Sequence, residues 1–155
     1  MSELEEKFIV DAMLGNIVTW LRILGYDTVY WIGDDGELIK RALKENRIIL
    51  TMDRELALNA IRNGLETFYI SRNDSPEVLA ELAKRYGIKL RFDRDRTRCP
   101  VCNSPLKLVN DKPREEWICP NCGKKYWRGS HWRNIMKTIK DAKERVASSE
   151  MWSKR

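Results

Sequence analysis

The sequence predicts an α/β protein: a mainly parallel sheet flanked by helices, then a smaller cysteine-containing module and a C-terminal helix. Short aliphatic runs alternate with amphipathic segments over residues 1–90, which is the pattern of successive β-α units. The charge-rich stretch RFDRDRTRC has little to bury, and two Cys-x-x-Cys pairs and a basic segment appear from its end onward. A chain of 155 residues suffices for one full domain and a small second unit, so we place a boundary near Arg91.

Four β-α units account for residues 1–90. The first strand, FIV, ends on Asp11, and the helix GNIVTWLRILG follows it and closes at Gly25. The next strands are TVYWI, RIILT and ETFYI, and the helices after them are DDGELIKRALKEN, RELALNAIRNG and SPEVLAELAKRYG. In the last helix Ser75 is the predicted cap and Gly87 lies past the end. Right-handed crossovers between such units predict a mainly parallel sheet covered on both faces.

Residues 91–155 form the second predicted unit. LKLV and EWI are its short strand candidates. A helix is predicted from about Ser130 to Val146, because apolar residues recur there at helical spacing with basic residues on the other faces.

The net charge of +6 is unevenly distributed along the chain. Residues 1–90 carry 12 Lys and Arg against 15 Asp and Glu, a net charge of −3, whereas residues 91–155 carry 17 against 8, a net charge of +9. A basic segment of this size favours a polyanionic partner, although a basic tail that only confers solubility is the alternative. The N-terminal residues MSELEEKF lack the pattern of a secretory signal, and no apolar run is long enough for a membrane helix. We therefore expect a soluble, cytoplasmic protein without a membrane partner.

Two Cys-x-x-Cys pairs separated by 16 residues have the spacing of a zinc ribbon. Four thiolates would complete a tetrahedral shell and leave no position for water, so the predicted zinc is structural. Two disulfides or a redox pair are the alternatives, and neither fits a cytoplasmic chain with both pairs as well. The predicted zinc ligands are Cys99, Cys102, Cys119 and Cys122.

Aspartates follow the first three predicted strands. Asp11 ends the first strand, Asp34 and Asp35 follow the second, and Asp53 follows the third. Because the carboxyl ends of parallel strands meet at one edge of a sheet, we expect these carboxylates to lie together. Hard oxygen ligands of this kind suit Mg²⁺ or Mn²⁺. The alternative is that each aspartate only caps a helix, a role for which Asp35 and Asp53 are well placed.

Other catalytic patterns are missing from the sequence. It contains no G-x-G-x-x-G and no G-x-x-x-x-G-K-[ST] motif, which argues against dinucleotide and P-loop nucleotide sites. The single histidine, His131, lies in the second unit, so a Ser-His or Cys-His centre in the first unit is excluded.

The segments IVDAML, DDGELIKRA, IILTMD, RCPVCNSPL and CPNCGKKYWRGSHW together resemble the PIN-like RNase family typified by the C-terminal domain of the Mut-seven exoribonuclease. The resemblance covers nearly the whole chain. It implies a PIN-like nuclease domain over residues 1–90 fused to a zinc ribbon with a basic helix over residues 91–155. Such domains cut RNA with acidic residues that bind divalent metal, and Thr51-Met52-Asp53 looks like their T-x-D signature.

Carried over to this sequence, the resemblance implies catalytic and Mg²⁺- or Mn²⁺-binding roles for Asp11, Asp35 and Asp53. Asp34 stands next to Asp35, so the second position is ambiguous by one residue. Asp74, after the fourth strand, is the nearest candidate for a further ligand.

The basic second unit is the expected RNA-binding part. Its aromatic residues Tyr126, Trp127 and Trp132 could stack on unpaired bases or instead pack inside the ribbon. The hypothesis is thus a metal-dependent ribonuclease, and the alternatives are a non-catalytic RNA- or ribosome-binding zinc-ribbon protein and a toxin-like endonuclease with an inhibitory partner. The expected phosphate contacts are Lys124, Lys125, Arg128 and Arg133, with Trp127 beside them.

Overall fold

The computed structural model describes residues 5–153. Its main sheet has four parallel strands in the order β2-β1-β3-β4. The strands are β1 (Phe8–Asp11), β2 (Thr28–Trp31), β3 (Ile48–Thr51) and β4 (Thr67–Tyr69), and each is followed by one helix. Those helices are α1 (Gly15–Ile23), α2 (Asp35–Glu45), α3 (Arg54–Arg62) and α4 (Ser75–Tyr86). The predicted α/β fold with a parallel sheet is confirmed.

The sheet has a hydrophobic core on each face, because alternate residues of a strand point to opposite sides. Val10 and Leu50 lie on the face covered by α1 and α4. Ile9 and Ile49 lie on the other face, which α2 and α3 cover. All four of these strand residues are fully buried. The near-continuous aliphatic runs of the sequence are what a strand buried on both faces requires.

The remainder of the chain forms a small antiparallel sheet and a long helix. The strands are β5 (Lys107–Asn110), β6 (Glu116–Ile118) and β7 (Lys125–Trp127), in the order β5-β6-β7. The first two of these strands were predicted from the sequence, and the third was not. The helix α5 (Trp132–Ser153) extends beyond the predicted end at Val146. Over residues 5–153, no helix combines the length and apolar character needed to cross a membrane.

Helix α5 packs against the parallel-sheet part of the molecule. Ile139 and Ala142 are buried in the same core cluster as α1 and α4. Arg145 also pairs with Asp74 at 2.8 Å and with Glu77 at 2.9 Å, which ties α5 to the first turn of α4. The predicted boundary near Arg91 therefore separates two sequence patterns, while the second of them contributes to the core of the first.

The first cysteine knuckle docks at the amino end of β2. The buried guanidinium of Arg22 donates through Nε to the carbonyl of Thr28 at 3.0 Å and through Nη1 to the carbonyl of Pro100 at 2.8 Å. Asn103 accepts from the Thr28 N–H at 3.0 Å and donates to Asp27 Oδ1 at 2.7 Å. These hydrogen bonds hold the cysteine module at the edge of the sheet where the strands begin.

Candidate active site and metal centre

Three of the predicted aspartates lie at the edge of the sheet where the strands end. Asp11 is the last residue of β1, Asp35 is the first residue of the helix after β2, and Asp53 lies between β3 and α3. Since β1 is hydrogen-bonded to both β2 and β3, these residues follow three adjacent parallel strands. The β-α connections of the sequence thus bring all three to one edge, as the general rule for parallel sheets requires.

Thr51 links two of these aspartates through its hydroxyl. Its Oγ1 donates to Asp11 Oδ2 at 3.0 Å and accepts from the Asp53 N–H at 2.9 Å. The threonine is fully buried, so both hydrogen bonds are sheltered from water. The Thr51-Met52-Asp53 motif therefore has a structural reason: the threonine orients the carboxylate of the central strand and the backbone that carries Asp53.

The capping roles are distributed differently from the sequence analysis. Asp34, and not Asp35, is the cap of α2, because its Oδ2 accepts from the Glu37 N–H at 3.0 Å. Asp53 does cap α3, accepting from Glu55 N–H at 2.9 Å through Oδ1. Within residues 5–153 no hydrogen bond occupies the carboxylate of Asp35. Its position one residue inside the helix leaves both oxygens available to solvent or a cation.

Like charges act on Asp35. Burial, followed by the charges of Asp11, Asp53 and Asp34, raises the pKa of the Asp35 carboxyl above its ordinary value. Over the described residues, no Lys or Arg nitrogen lies within the 4.0 Å ion-pair distance of these four carboxylates. The edge therefore holds a local excess of negative charge, which a bound cation would neutralise.

The donor set at this edge suits a hard divalent cation, but the ligands do not form a closed cage. In the described part of the chain, only the four cysteines bring three or more ligand atoms within 4.8 Å of one another. Mg²⁺ keeps several waters and is held in many sites by only one or two carboxylates, so an open arrangement is compatible with it. The residues that could hold such an ion are Asp11, Asp35 and Asp53.

Asp74 has other contacts. Its Oδ2 accepts from the Glu77 N–H at 3.3 Å, as the cap of α4, and from Arg145 at 2.8 Å. The same arginine contacts Glu77 and Asp141. An aspartate neutralised in this way is a weaker candidate for a further metal ligand than Asp35.

The cysteine residues form a compact cluster of sulfur atoms. The four Sγ atoms all lie within 4.8 Å of one another, with Cys99 and Cys122 at 3.7 Å and Cys102 and Cys119 at 3.3 Å. Sulfurs on a tetrahedron about 2.3 Å from a central zinc are about 3.8 Å apart, whereas a disulfide requires about 2.05 Å. The spacing therefore fits one tetrahedral ion and excludes two disulfides.

The thiols of the cluster affect one another's protonation. Hydrogen bonding, chiefly from the Asn121 side chain, lowers the pKa of Cys102 to about 6. The Lys124 backbone N–H lowers the pKa of Cys122, but burial and the neighbouring thiols together raise it to about 11. Four thiolates cannot form side by side without a positive charge among them, so the cluster could bind a structural metal such as zinc.

The family model described as the Mut7-C RNAse domain matches residues 6–139. The chain belongs to this family. The Mut7-C match spans the three edge aspartates, all four cysteines and the start of α5. Membership of the Mut7-C family indicates a ribonuclease-type function and RNA as the substrate. Comparison with curated proteins and with solved structures gave no significant match.

The predicted RNA contacts of this Mut7-C chain lie on the surface around β7 and the start of α5. Lys124, Lys125 and Arg133 are exposed. Arg128 is exposed as well, but it pairs with Glu115 at 3.0 Å. The Trp127 ring is 46% exposed, which leaves it accessible for stacking.

Two other aromatic residues that were considered for base stacking have structural contacts. Trp132 packs edge-on against Phe92 with ring centroids 4.5 Å apart and stacks near Trp117 at 6.4 Å. The Tyr126 hydroxyl lies 3.2 Å from Cys99 Sγ, beside the cysteine cluster. For these two residues the packing alternative explains the position, and Trp127 remains the accessible aromatic of the three.

The roles of Thr51 and Arg145 were not predicted from the sequence. Thr51 was recognised only as part of a motif, and its hydrogen bond to Asp11 joins residues 40 positions apart. Arg145 was placed in a basic helix with no partner assigned. Both roles depend on contacts between distant segments.

Proposed function

We propose that this protein hydrolyses RNA phosphodiester bonds at the Asp11, Asp35 and Asp53 edge with Mg²⁺ or Mn²⁺. The observation that supports this most directly is the uncompensated negative charge at the edge. The charges of Asp11 and Asp53 contribute to the raised pKa of Asp35, and no cationic side chain of the described residues pairs with these carboxylates. A divalent cation bound there supplies water activation and stabilisation of the departing oxygen. The Mut7-C family membership supports RNA as the polymer that is cut.

Each side chain has a distinct part in the proposal. Asp11 is oriented by Thr51, and Asp53 keeps one oxygen on the α3 cap and the other free to face a ligand. Asp35 presents a carboxylate that a cation would keep ionised, because a nearby positive charge favours the charged form. The proposed zinc in the cysteine cluster is structural, since four thiolates leave no position for water.

The cysteine module, which carries the proposed RNA-binding surface, lies away from the proposed catalytic edge. The cysteine knuckle contacts Thr28, the first residue of β2, whereas Asp11 is opposite Trp31, the last. Three residues of strand correspond to about 10 Å. The cysteine module is therefore docked about 10 Å or more from the aspartate edge along the strand direction, and a substrate that contacts both must extend along the molecule.

Cleavage of labelled single-stranded and structured RNA, with and without Mn²⁺, tests the proposal. Asp53→Asn should abolish cleavage and preserve RNA binding and folding, because asparagine caps a helix as well as aspartate does. Asp95→Asn, at an exposed aspartate in the joint between the two units, is the matched control and should cleave as the wild type does. Cleavage by Asp53→Asn at the wild-type rate would refute the assignment.

A non-catalytic RNA-binding protein is the second candidate, and the open geometry of the edge favours it: the aspartate oxygens do not converge as the cysteine sulfurs do. Titration of Mn²⁺ into zinc-loaded protein separates the two candidates. The nuclease proposal requires an exchangeable site that is lost in Asp11→Asn. No saturable Mn²⁺ binding at millimolar concentration, together with intact RNA binding, would favour the second candidate.

A further inference from the structure

Two cavities meet beside the cysteine module. The first, which we call the arginine cleft, is an open cavity of about 640 Å³ whose charged lining residues carry four guanidinium groups and two carboxylates. The second, which we call the aromatic pocket, has a volume of about 230 Å³ and lies between the cysteine module, α1 and α5. The charged residues of the arginine cleft are Arg94, Arg114, Arg128, Arg133, Asp111 and Glu115. The aromatic pocket is lined by Phe92, Trp117, Tyr126, Trp127 and Trp132, among others.

The two cavities are neighbours that share one lining residue and one contact between their linings. Trp132 lines both of them. Arg114 of the arginine cleft also lies over the ring of Trp127 of the aromatic pocket, with its guanidinium carbon 5.3 Å from the ring centroid. A ligand with a charged part and a flat apolar part could therefore occupy both cavities at once.

The arginine cleft is arranged to receive an anion. Glu115 pairs with Arg94 at 3.2 Å and with Arg128 at 3.0 Å, so one largely buried carboxylate holds two guanidinium groups in place. For Arg133, no carboxylate of residues 5–153 lies within ion-pair distance. Arg114 pairs with Glu116 at 3.3 Å. With four arginines against Asp111, Glu115 and Glu116, the cleft retains a net positive charge, and the planar fork of arginine matches a phosphate group.

The aromatic pocket suits a nucleobase. Its volume is below the range of about 300–1,000 Å³ found for drug-sized ligands, so it admits a smaller flat group. Trp127 is 46% exposed and lines the pocket, so its ring offers a stacking surface for such a group. Trp132 Nε1 is buried, and no described residue accepts its hydrogen bond, which leaves one donor unmatched in the wall shared by the two cavities.

We infer that the arginine cleft and the aromatic pocket form one nucleotide subsite, in which an unpaired base stacks on Trp127 and its phosphate binds between the arginines. The inference rests on the proposed function in taking RNA as the polymer, and it adds a preference for unpaired nucleotides. A duplex keeps its bases stacked on one another, so only its phosphates could use the subsite.

The test is equilibrium binding of a fluorescein-labelled oligoadenylate, alone and annealed to oligouridylate, to the zinc-loaded protein without Mg²⁺ or Mn²⁺. Trp127→Ala should weaken binding of the single strand on the order of 10-fold and leave duplex binding unchanged, whereas Trp127→Phe should restore most of the loss. Arg114→Ala should weaken single-strand binding and lower its dependence on log salt concentration by about 0.7, the slope of one phosphate contact. Arg62→Ala, at an exposed arginine of α3, is the control and should bind as the wild type does.

Equal binding of the single strand by the wild type, Trp127→Ala and Arg114→Ala would overturn the inference. An equal loss of single-strand and duplex binding in Trp127→Ala would overturn it too, since it would show that Trp127 does not stack on an unpaired base. The result is independent of catalysis: if the variants behave as expected and the wild type cleaves no RNA with Mn²⁺, the subsite stands and the nuclease proposal fails. If the wild type cleaves RNA and the variants bind RNA as the wild type does, the nuclease proposal stands and the subsite inference fails.

Discussion

Thr51→Val removes the hydroxyl that links Asp11 to the backbone of Asp53 and keeps the shape of the side chain. One lost hydrogen bond goes to a carboxylate, worth about 1.5–3 kcal/mol, and the other comes from a neutral N–H, worth about 0.5–1.5 kcal/mol. The added methyl group is buried and returns about 0.8 kcal/mol. We therefore expect the free energy of unfolding to fall by about 2 kcal/mol.

Urea unfolding of zinc-loaded protein at neutral pH measures this loss. With a slope of about 2–3 kcal/mol per molar urea, the midpoint should fall by about 1 M. Thr28→Val is the matched control: Thr28 is also a fully buried strand threonine, but its hydroxyl donates only to the Tyr26 carbonyl at 2.9 Å. By the same reasoning, Thr28→Val should change the free energy of unfolding by less than about 1 kcal/mol. If Thr51→Val lowers the free energy of unfolding no more than Thr28→Val does, the proposed hydrogen bond to the Asp11 carboxylate is wrong.

Three further predictions concern charge and metal. The pKa of Asp35 is raised in the folded protein, so its ionised carboxylate destabilises the fold. This destabilisation is absent below pH 3.8, where the carboxyl is protonated, and is complete above the raised pKa. Asp35→Asn should therefore raise the free energy of unfolding, measured in urea at pH 7, by less than about 1 kcal/mol because the group is exposed, and leave it unchanged at pH 3. Cys119→Ser should reduce the zinc content, measured by mass spectrometry, from about one ion per chain to near zero and should abolish the near-ultraviolet circular dichroism of the tryptophan cluster. Lys137→Glu combined with Lys140→Glu should weaken RNA binding and lower the salt slope by about 1.4, whereas Lys44→Glu on α2 should change neither.

The parallel sheet could be predicted because each strand is a short aliphatic run and each helix has a separate amphipathic pattern. Ile48–Thr51 shows this well, since four consecutive buried residues fit only a strand covered on both faces. The strand β7 was missed because its pairing with β6 depends on the hairpin that the cysteine cluster organises. The end of α5 was missed because Ala147, Ser148 and Ser149 carry no apolar periodicity.

The edge aspartates could be placed on one edge from sequence, because that follows from strand direction alone. Which of Asp34 and Asp35 caps α2 could not be predicted, since the two choices differ by one residue and both are compatible with a helix start. The docking of the cysteine knuckle likewise could not be predicted from the sequence. It depends on hydrogen bonds such as that of Arg22 to the Pro100 carbonyl, which joins segments 78 residues apart and has no local signal.

Helix α5 connects the proposed catalytic edge at one end of the sheet with the proposed RNA-binding surface at the other. It begins at Trp132, inside the aromatic cluster of the cysteine module, and reaches the first turn of α4 at Arg145. Thirteen residues of α-helix span about 20 Å. Since α4 follows β4, its first turn lies at the edge where the strands end, so α5 runs from the module to the aspartate side of the sheet. Exposed Arg133, Lys137 and Lys140 recur at helical spacing along the first half of this span, a row of positive charge about 10 Å long that leads from the proposed subsite towards the aspartate side.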